Sequence, residues 1–249
     1  MKKLIHFLAS TAAVMMFIGL SIAVVEAGPC KLANFASASF TNPMNINNPY
    51  LPWVPGTEFL YEPVPNPDNV QNFVRVLYST DPKGNKQITV GTKTIAVVVV
   101  HDYEIDNGFL AEDTYDYYAQ DDDGNVWYCG EDTTVYLPGG GTDKTGSWEA
   151  GVNGALPGYI MLAKSSPGVC YWQEFLRDVA EDEAKVMRLN AKVTLQSGKT
   201  YQGCLETKEW SPLEVGDIEQ KFYAKGVGMV LNFEHRGKIL RWELISVSP

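Results

Sequence analysis

The hydrophobic pattern divides the chain into three stretches of different character. Lys2 and Lys3 precede an apolar run from Leu4 to about Val25. Between residues 28 and 56 no period is sustained: Asn42-Pro43, Asn48-Pro49, Pro52 and Pro55-Gly56 interrupt it, and each residue before a proline is pushed toward extended backbone. After Gly56 the pattern becomes short β-type runs separated by turn residues. It predicts strands at Glu58–Glu62, Val70–Tyr78, Thr94–Glu104, Phe109–Gln120, Val126–Glu131, Lys192–Leu195, Thr200–Glu209, Gly228–Glu234 and Lys238–Val247. The links are turn chemistry: Asp81–Asn85, Asp106-Asn107-Gly108, Asp121–Asn125, Gln196–Lys199 and His235-Arg236-Gly237. Short turns between such runs make neighbours antiparallel, so the middle strands are expected to form a meander. Only Asp178–Met187, with Ala180, Ala184 and Met187 at spacings of four and three, predicts a short helix.

The first stretch reads as a secretory signal peptide over residues 1–27, with a small-residue exit at Val25-Glu26-Ala27. The expected product starts at Gly28, is exported to the periplasm or cell exterior and inserts no helix in the membrane, since no later segment is apolar for 18 residues. Residues 28–56 form an extended Pro/Asn-rich arm, and residues 57–249 a single β domain. Pro29 stands before Cys30, where lipoprotein processing requires a small residue, so Cys30 is read as a disulfide candidate. All four cysteines follow the cleavage site, and an even count in an oxidising compartment suggests two bridges. Four cysteines allow three pairings; the expectation taken forward is Cys129 with Cys170 and Cys30 with Cys204.

Composition sharpens the fold class. Thirteen Tyr, ten Phe and six Trp, with 22 Gly and 14 Pro as punctuation, suit pleated, half-buried surfaces. The expected fold is all-β: an antiparallel meander curled into a barrel or a strongly twisted half-barrel, with a two-sheet sandwich as the alternative. A formal net charge of −10 argues against nucleic acid as a partner.

Most familiar chemistry is excluded. Counting an EF-hand loop from Gly124 puts Ala119 and Gly130 where its first and twelfth ligands belong, so Asp121–Asn125 is read as a hairpin turn and no metal or cofactor is expected. Asp143 stands where a phosphate loop needs the glycine before Lys144, and no G-x-S-x-G elbow occurs. Beyond His6 in the leader, only His101 and His235 remain, too few for a three-histidine metal site. His101 and Asp102 are strand neighbours and point to opposite faces. No catalytic residue is assigned.

One constellation rises above this background. Residues two apart on a strand share a face. Trp127, Cys129 and Glu131 are so spaced, as are Cys170, Trp172 and Glu174, and Cys204, Glu206, Lys208 and Trp210. A pocket lined by Trp127, Glu131, Trp172, Glu174, Glu206 and Trp210 would hold a sugar, an amine or a cation by stacking and charge. The leading expectation is therefore a secreted or periplasmic non-catalytic binding protein for a small ligand. The alternatives are a hydrolase using two acidic residues on a glycan, and a surface-assembly protein that engages a neighbour through the proline-rich arm.

Three tracts, DDDGNVWYCGE (121–131), GSWEAGVNGALPG (146–158) and TKEWSPLEVGDIEQKFYAKGVG (207–228), resemble a family of uncharacterised secreted bacterial β-rich proteins. The resemblance implies a secreted β domain and carries no activity. The family-like stretch does not depend on a full cysteine set.

Overall fold

The computed structural model describes residues 30–77 and 86–249, leaving aside the side chains of 72–77. The expected leader and the expected turn Asp81–Asn85 lie outside the described residues. The domain is all-β and antiparallel, apart from one 3-10 turn at Phe35–Ser37. Its first six strands are β1 (Asn47–Asn48), β2 (Leu51–Pro52), β3 (Glu58–Pro63), β4 (Gln71–Leu77), β5 (Gln87–Val90) and β6 (Lys93–Ala96). The central group is β7 (Val98–Asp106), β8 (Phe109–Gln120), β9 (Val126–Tyr136), β10 (Thr142–Asp143), β11 (Trp148–Glu149) and β12 (Leu156–Met161). The last group is β13 (Cys170–Trp172), β14 (Glu174–Phe175), β15 (Glu183–Thr194), β16 (Thr200–Trp210), β17 (Ile218–Ala224), β18 (Gly228–Arg236) and β19 (Lys238–Ser248).

One sheet runs in the order β13-β15-β16-β17-β18-β19-β3-β4-β7-β8-β9-β12-β14, with β10 and β11 added to β9. Two meanders, β7-β8-β9 and β15 through β19, are joined through β3 and β4. The two ends of the path, β13 and β14, are separated in sequence only by Gln173. No ladder closes the sheet among the described residues.

The predicted strand Thr94–Glu104 is two strands. Its backbone breaks at Val97, whose N–H donates to the Lys86 carbonyl at 3.2 Å. β6 pairs only with β5, while β7 enters the main sheet. Val97 through Val100 are all buried, so this segment is covered on both sides and no alternation marks the break.

The predicted helix at Asp178–Met187 is absent. Asp178 takes a left-handed φ of 61°, Ala180 bridges back to Leu176, and β15 begins at Glu183. In β15, Ala184 and Val186 are buried while Met187 is exposed, so a period of two prevails over the spacing of four and three.

The arm packs back on the domain. Phe35, Ile46 and Leu51 are buried in the core, and Phe35 meets Trp127 edge-on at 5.2 Å. Lys31 bridges to Tyr171, and Cys30 forms a disulfide with Cys170 across a separation of 140 residues. This corrects the expected pairing: Cys129 and Cys204 are buried free thiols. Cys170 sits on the short β13, where the returning arm lies alongside it, whereas Cys129 and Cys204 face packed interior on β9 and β16. Burial pushes both thiols above their ordinary range. Among the described residues no helix is long and apolar enough to cross a membrane.

Candidate functional site

The turn at Asp121–Asn125 is built by its own first residue. Asp121 accepts from the Asn125 backbone and side-chain amides at 2.8 and 2.9 Å and from Trp127 Nε1 at 2.8 Å. Asp122 accepts from the Thr41 amide at 2.7 Å and hydroxyl at 2.9 Å, which fastens the arm. These carboxylates serve as turn and arm anchors.

The chemistry gathers elsewhere, in a cavity of about 120 Å³. Tyr61 of β3, Asp102 of β7, Asp116 and Tyr118 of β8, Tyr128 of β9 and Glu174 of β14 line it. Glu209 of β16, with Glu219, Lys221 and Tyr223 of β17, line it also. All of these side chains are buried.

Two polar clusters stand on this wall. In the first, the Tyr128 hydroxyl lies 2.6 Å from Asp116 Oδ1 and 2.7 Å from Glu131 Oε2. A phenol has one proton to donate, so with both carboxylates ionised one short contact would oppose lone pairs. One carboxyl of the pair therefore keeps its proton and donates to the phenol oxygen. In agreement, burial, and then the charges of Glu131 and Asp102, push Asp116 well above the usual carboxylate range. Burial first, and Asp116 second, also hold the Tyr118 and Tyr128 phenols protonated.

In the second cluster, Lys221 Nζ lies 2.7 Å from Glu209 Oε2 and 2.8 Å from Glu219 Oε2. Thr207 Oγ1 donates to Glu209 at 2.6 Å, Tyr223 donates to it at 3.3 Å, and Asn232 Nδ2 donates to Glu219 at 3.3 Å. Burial opposes the charge on Lys221, but Glu209 and Glu219 outweigh it and hold the ammonium charged well above the ordinary lysine range.

Of the six residues expected to line a pocket, Glu174 and Trp210 stand on this wall. The structure does not bring the three tryptophans together. Trp127 is fully buried among Phe35, Phe40 and Tyr159. Trp172 packs edge-on against Phe175 and donates to the Cys30 carbonyl at 3.2 Å. Trp210 faces Glu183 across the β15–β16 ladder and lies beneath Lys208 Nζ, 5.7 Å from its ring centre. Glu131 lies behind Tyr128, and Glu206 is buried against Arg188.

The reason is lost parity. On β9 the register steps from Glu131 to Tyr128 while β8 steps from Asp116 to Tyr118, so an extra residue bulges at Gly130. Glu131 thus shares a face with Tyr128 rather than Trp127. Trp172 and Glu174 belong to different strands, with a break at Gln173. On β16 the strand pairing puts Thr207 opposite Lys221 and Glu209 opposite Glu219, so Glu209 faces the cavity and Glu206 the other side, while Trp210 meets the wall at the strand's last residue. The alternation at His101-Asp102 does hold: Asp102 lines the cavity, and His101 pairs with Asp113 at 2.6 Å while stacking on Tyr115. The missed residues, Asp102, Asp116, Glu209, Glu219 and Lys221, are buried charges on strands, which a polar-out reading assigns to solvent.

No family model and no curated protein matches the chain. Among solved structures, a candidate exported protein with a YmcC-like fold from Bacteroides fragilis is similar, at a TM-score of 0.43 and 12% identity. The match covers 80% of this chain and 99% of that one. A candidate lipoprotein from Parabacteroides distasonis is similar at a TM-score of 0.32 and 10% identity, covering 80% of this chain and 98% of its own. At these values neither likeness bears on ligand or activity.

Proposed function

We propose that this chain is an exported, non-catalytic binding protein whose interior cavity holds a small molecule. The observation that carries it is the wall itself: buried charged and phenolic side chains from β3, β7, β8, β9, β14, β16 and β17 converge on one space. Burying that many carboxylates is unfavourable for stability alone, and such groups are ordinarily retained where they recognise something. The end strand β14 contributes together with β16 and β17 from the other half of the sheet path, which supports a sheet curled around the cavity as a barrel or half-barrel. The basic and apolar leader supports export. The buried contacts of the arm weigh against a surface-assembly role, because Phe35, Ile46 and Leu51 are already engaged within the same chain.

One observation favours a second reading, a hydrolase. Burial and the charge of Glu131 push Asp116 well above the usual carboxylate range while Glu209 sits beside an ammonium, and different environments for two carboxyls are what acid and base roles need. Against it, the Tyr128 contact and the Lys221 pairing already engage both groups within the protein.

A thermal-shift panel of compact polar solutes tests the proposal, because a ligand that binds only the folded state stabilises it by RT ln(1 + [L]/Kd). At least one solute is expected to raise Tm in the wild type and not in Met229→Trp, which adds bulk at a half-buried wall position. No shift with any solute, or equal shifts in both proteins, overturns the binding reading. Turnover of a glycan that disappears in Asp116→Asn would put the hydrolase in its place.

A further inference from the structure

We propose that Gln173 and Trp53 orient the occupant of this cavity, and that the occupant is a neutral hydroxylated ring of the monosaccharide class whose oxygens accept from both. The inference rests on the binding reading above and specifies its ligand.

Gln173 is the one residue between β13 and β14. Its backbone amide donates to the Asp182 carbonyl at 2.8 Å. Its own carbonyl lies so close to Gly158 that a Cβ there would meet the oxygen at 2.6 Å. The backbone is therefore fixed at this break, and the side chain, 4% exposed, lines the cavity. Its Nε2 has no hydrogen-bond partner among the described residues. Trp53 reaches the same wall from the arm. Its amide donates to the Ile46 carbonyl at 3.2 Å, and its ring stacks on Tyr118 at an interplanar angle of 27° and meets Phe59 edge-on. Its Nε1 is likewise buried and without a partner among the described residues.

Buried donors in folded proteins are ordinarily satisfied, and an unmade hydrogen bond forfeits the hydration that the group gave up on burial. Two such donors on one wall call for acceptors within the cavity. Both are uncharged N–H groups, matched by hydroxyl, ether or carbonyl oxygens. They come from separate elements, the arm and the β13–β14 break, so a molecule with several oxygens serves them better than one with a single oxygen.

The rest of the wall adds a second requirement. Leu51, Phe59, Ile160 and Met229 line it with Trp53, so the occupant also has apolar surface to bury. Water would meet the donors and leave that surface wet. An apolar solute would do the reverse. A sugar ring carries both: C–H faces for the aromatic wall and oxygens around its edge. The cavity is partly open, so the ring can enter without rearrangement of the sheet.

Isothermal titration with glucose, galactose, N-acetylglucosamine and myo-inositol tests this, with tetramethylammonium as a probe that has no acceptor. At least one of the four hydroxylated rings is expected to bind. Gln173→Met keeps the length of the side chain and deletes the donor, and is expected to weaken that binding about ten-fold, the loss of one hydrogen bond. Its Tm without ligand should not fall below that of the wild type, because the deleted donor has no partner in the protein. Should that variant fail to fold, Trp53→Phe decides by the same loss of affinity. Binding of none of the four rings overturns the inference. Equal affinity in Gln173→Met also overturns it, and would assign the donor to water. Tetramethylammonium binding that Met229→Trp abolishes, with no ring bound, would leave the cavity a receptor and remove only this ligand class.

Discussion

Asp116 and Glu131 are direct partners across the β8–β9 ladder, both buried, and both within 2.7 Å of the Tyr128 hydroxyl. Two carboxyls and one phenol in that arrangement hold a proton that an exposed pair would release. Four residues back along β8 on the same face, burial first and then the charge of Asp102 raise Glu112 to about 8, although Thr114 donates to it at 2.9 Å.

That arrangement fixes the sign of a pH dependence. Both acids have folded-state pKa values above their unfolded ones, so between about pH 4.5 and 8 the folded protein binds more protons than the unfolded chain. Their contribution to stability is complete below the unfolded pKa and is lost as pH rises through the folded one. Tm is expected to be higher at pH 5 than at pH 8 by roughly 5 °C, at ~2–4 °C per kcal/mol for a chain of this size. Glu112→Gln should flatten that slope. A Tm that climbs from pH 5 to pH 8 contradicts the assignment.

Gly130 makes the cluster possible. Its φ of 142° and the bulge around it turn Glu131 toward Tyr128, and an added Cβ would meet the Trp148 carbonyl at 2.6 Å. Gly130→Ala is expected to cost about 2–4 kcal/mol, through backbone strain together with that clash. Denaturant unfolding measures it, and a loss under 0.5 kcal/mol would mean that the bulge is not required.

This glycine also shows where the sequence was readable and where it was not. Phe109–Gln120 is a strand over the range that its alternation and flanking turns predict, and the hairpin at Gln196–Lys199 follows from turn chemistry alone. The turn predicted at His235–Gly237 is tighter, with His235 and Arg236 still paired on β18 and only Gly237 between the strands. Facing was lost at β9 because a bulge inverts parity without changing composition. At β17, Ile218–Ala224, the pattern predicts no strand at all. There the inward residues are Glu219, Lys221 and Tyr223, so the polar positions are the interior ones. A strand that lines a charged cavity defeats a rule built on apolar cores.

Lys221 holds the second cluster together. Lys221→Met leaves Glu209 and Glu219 buried without their cation, which is expected to cost about 3–5 kcal/mol. Adding Glu209→Gln and Glu219→Gln should recover much of that loss in chemical denaturation. A single variant as stable as the wild type would contradict the pairing.

The disulfide ties the arm to β13 across 140 residues. On chain-entropy grounds a loop of that size contributes up to about 5 kcal/mol. Reduction should lower Tm by roughly 10 °C. Thiol labelling of the oxidised protein should find only Cys129 and Cys204, and only after unfolding, since both are buried. Labelled Cys30 or Cys170 in the oxidised protein would refute the assignment.

If the cavity holds a small molecule, as proposed, native mass spectrometry of the protein exported by its own host should show a non-covalent adduct of small mass that is released on denaturation and absent from Met229→Trp. A bare polypeptide mass in the wild type, or an adduct retained equally by the filled variant, would contradict it.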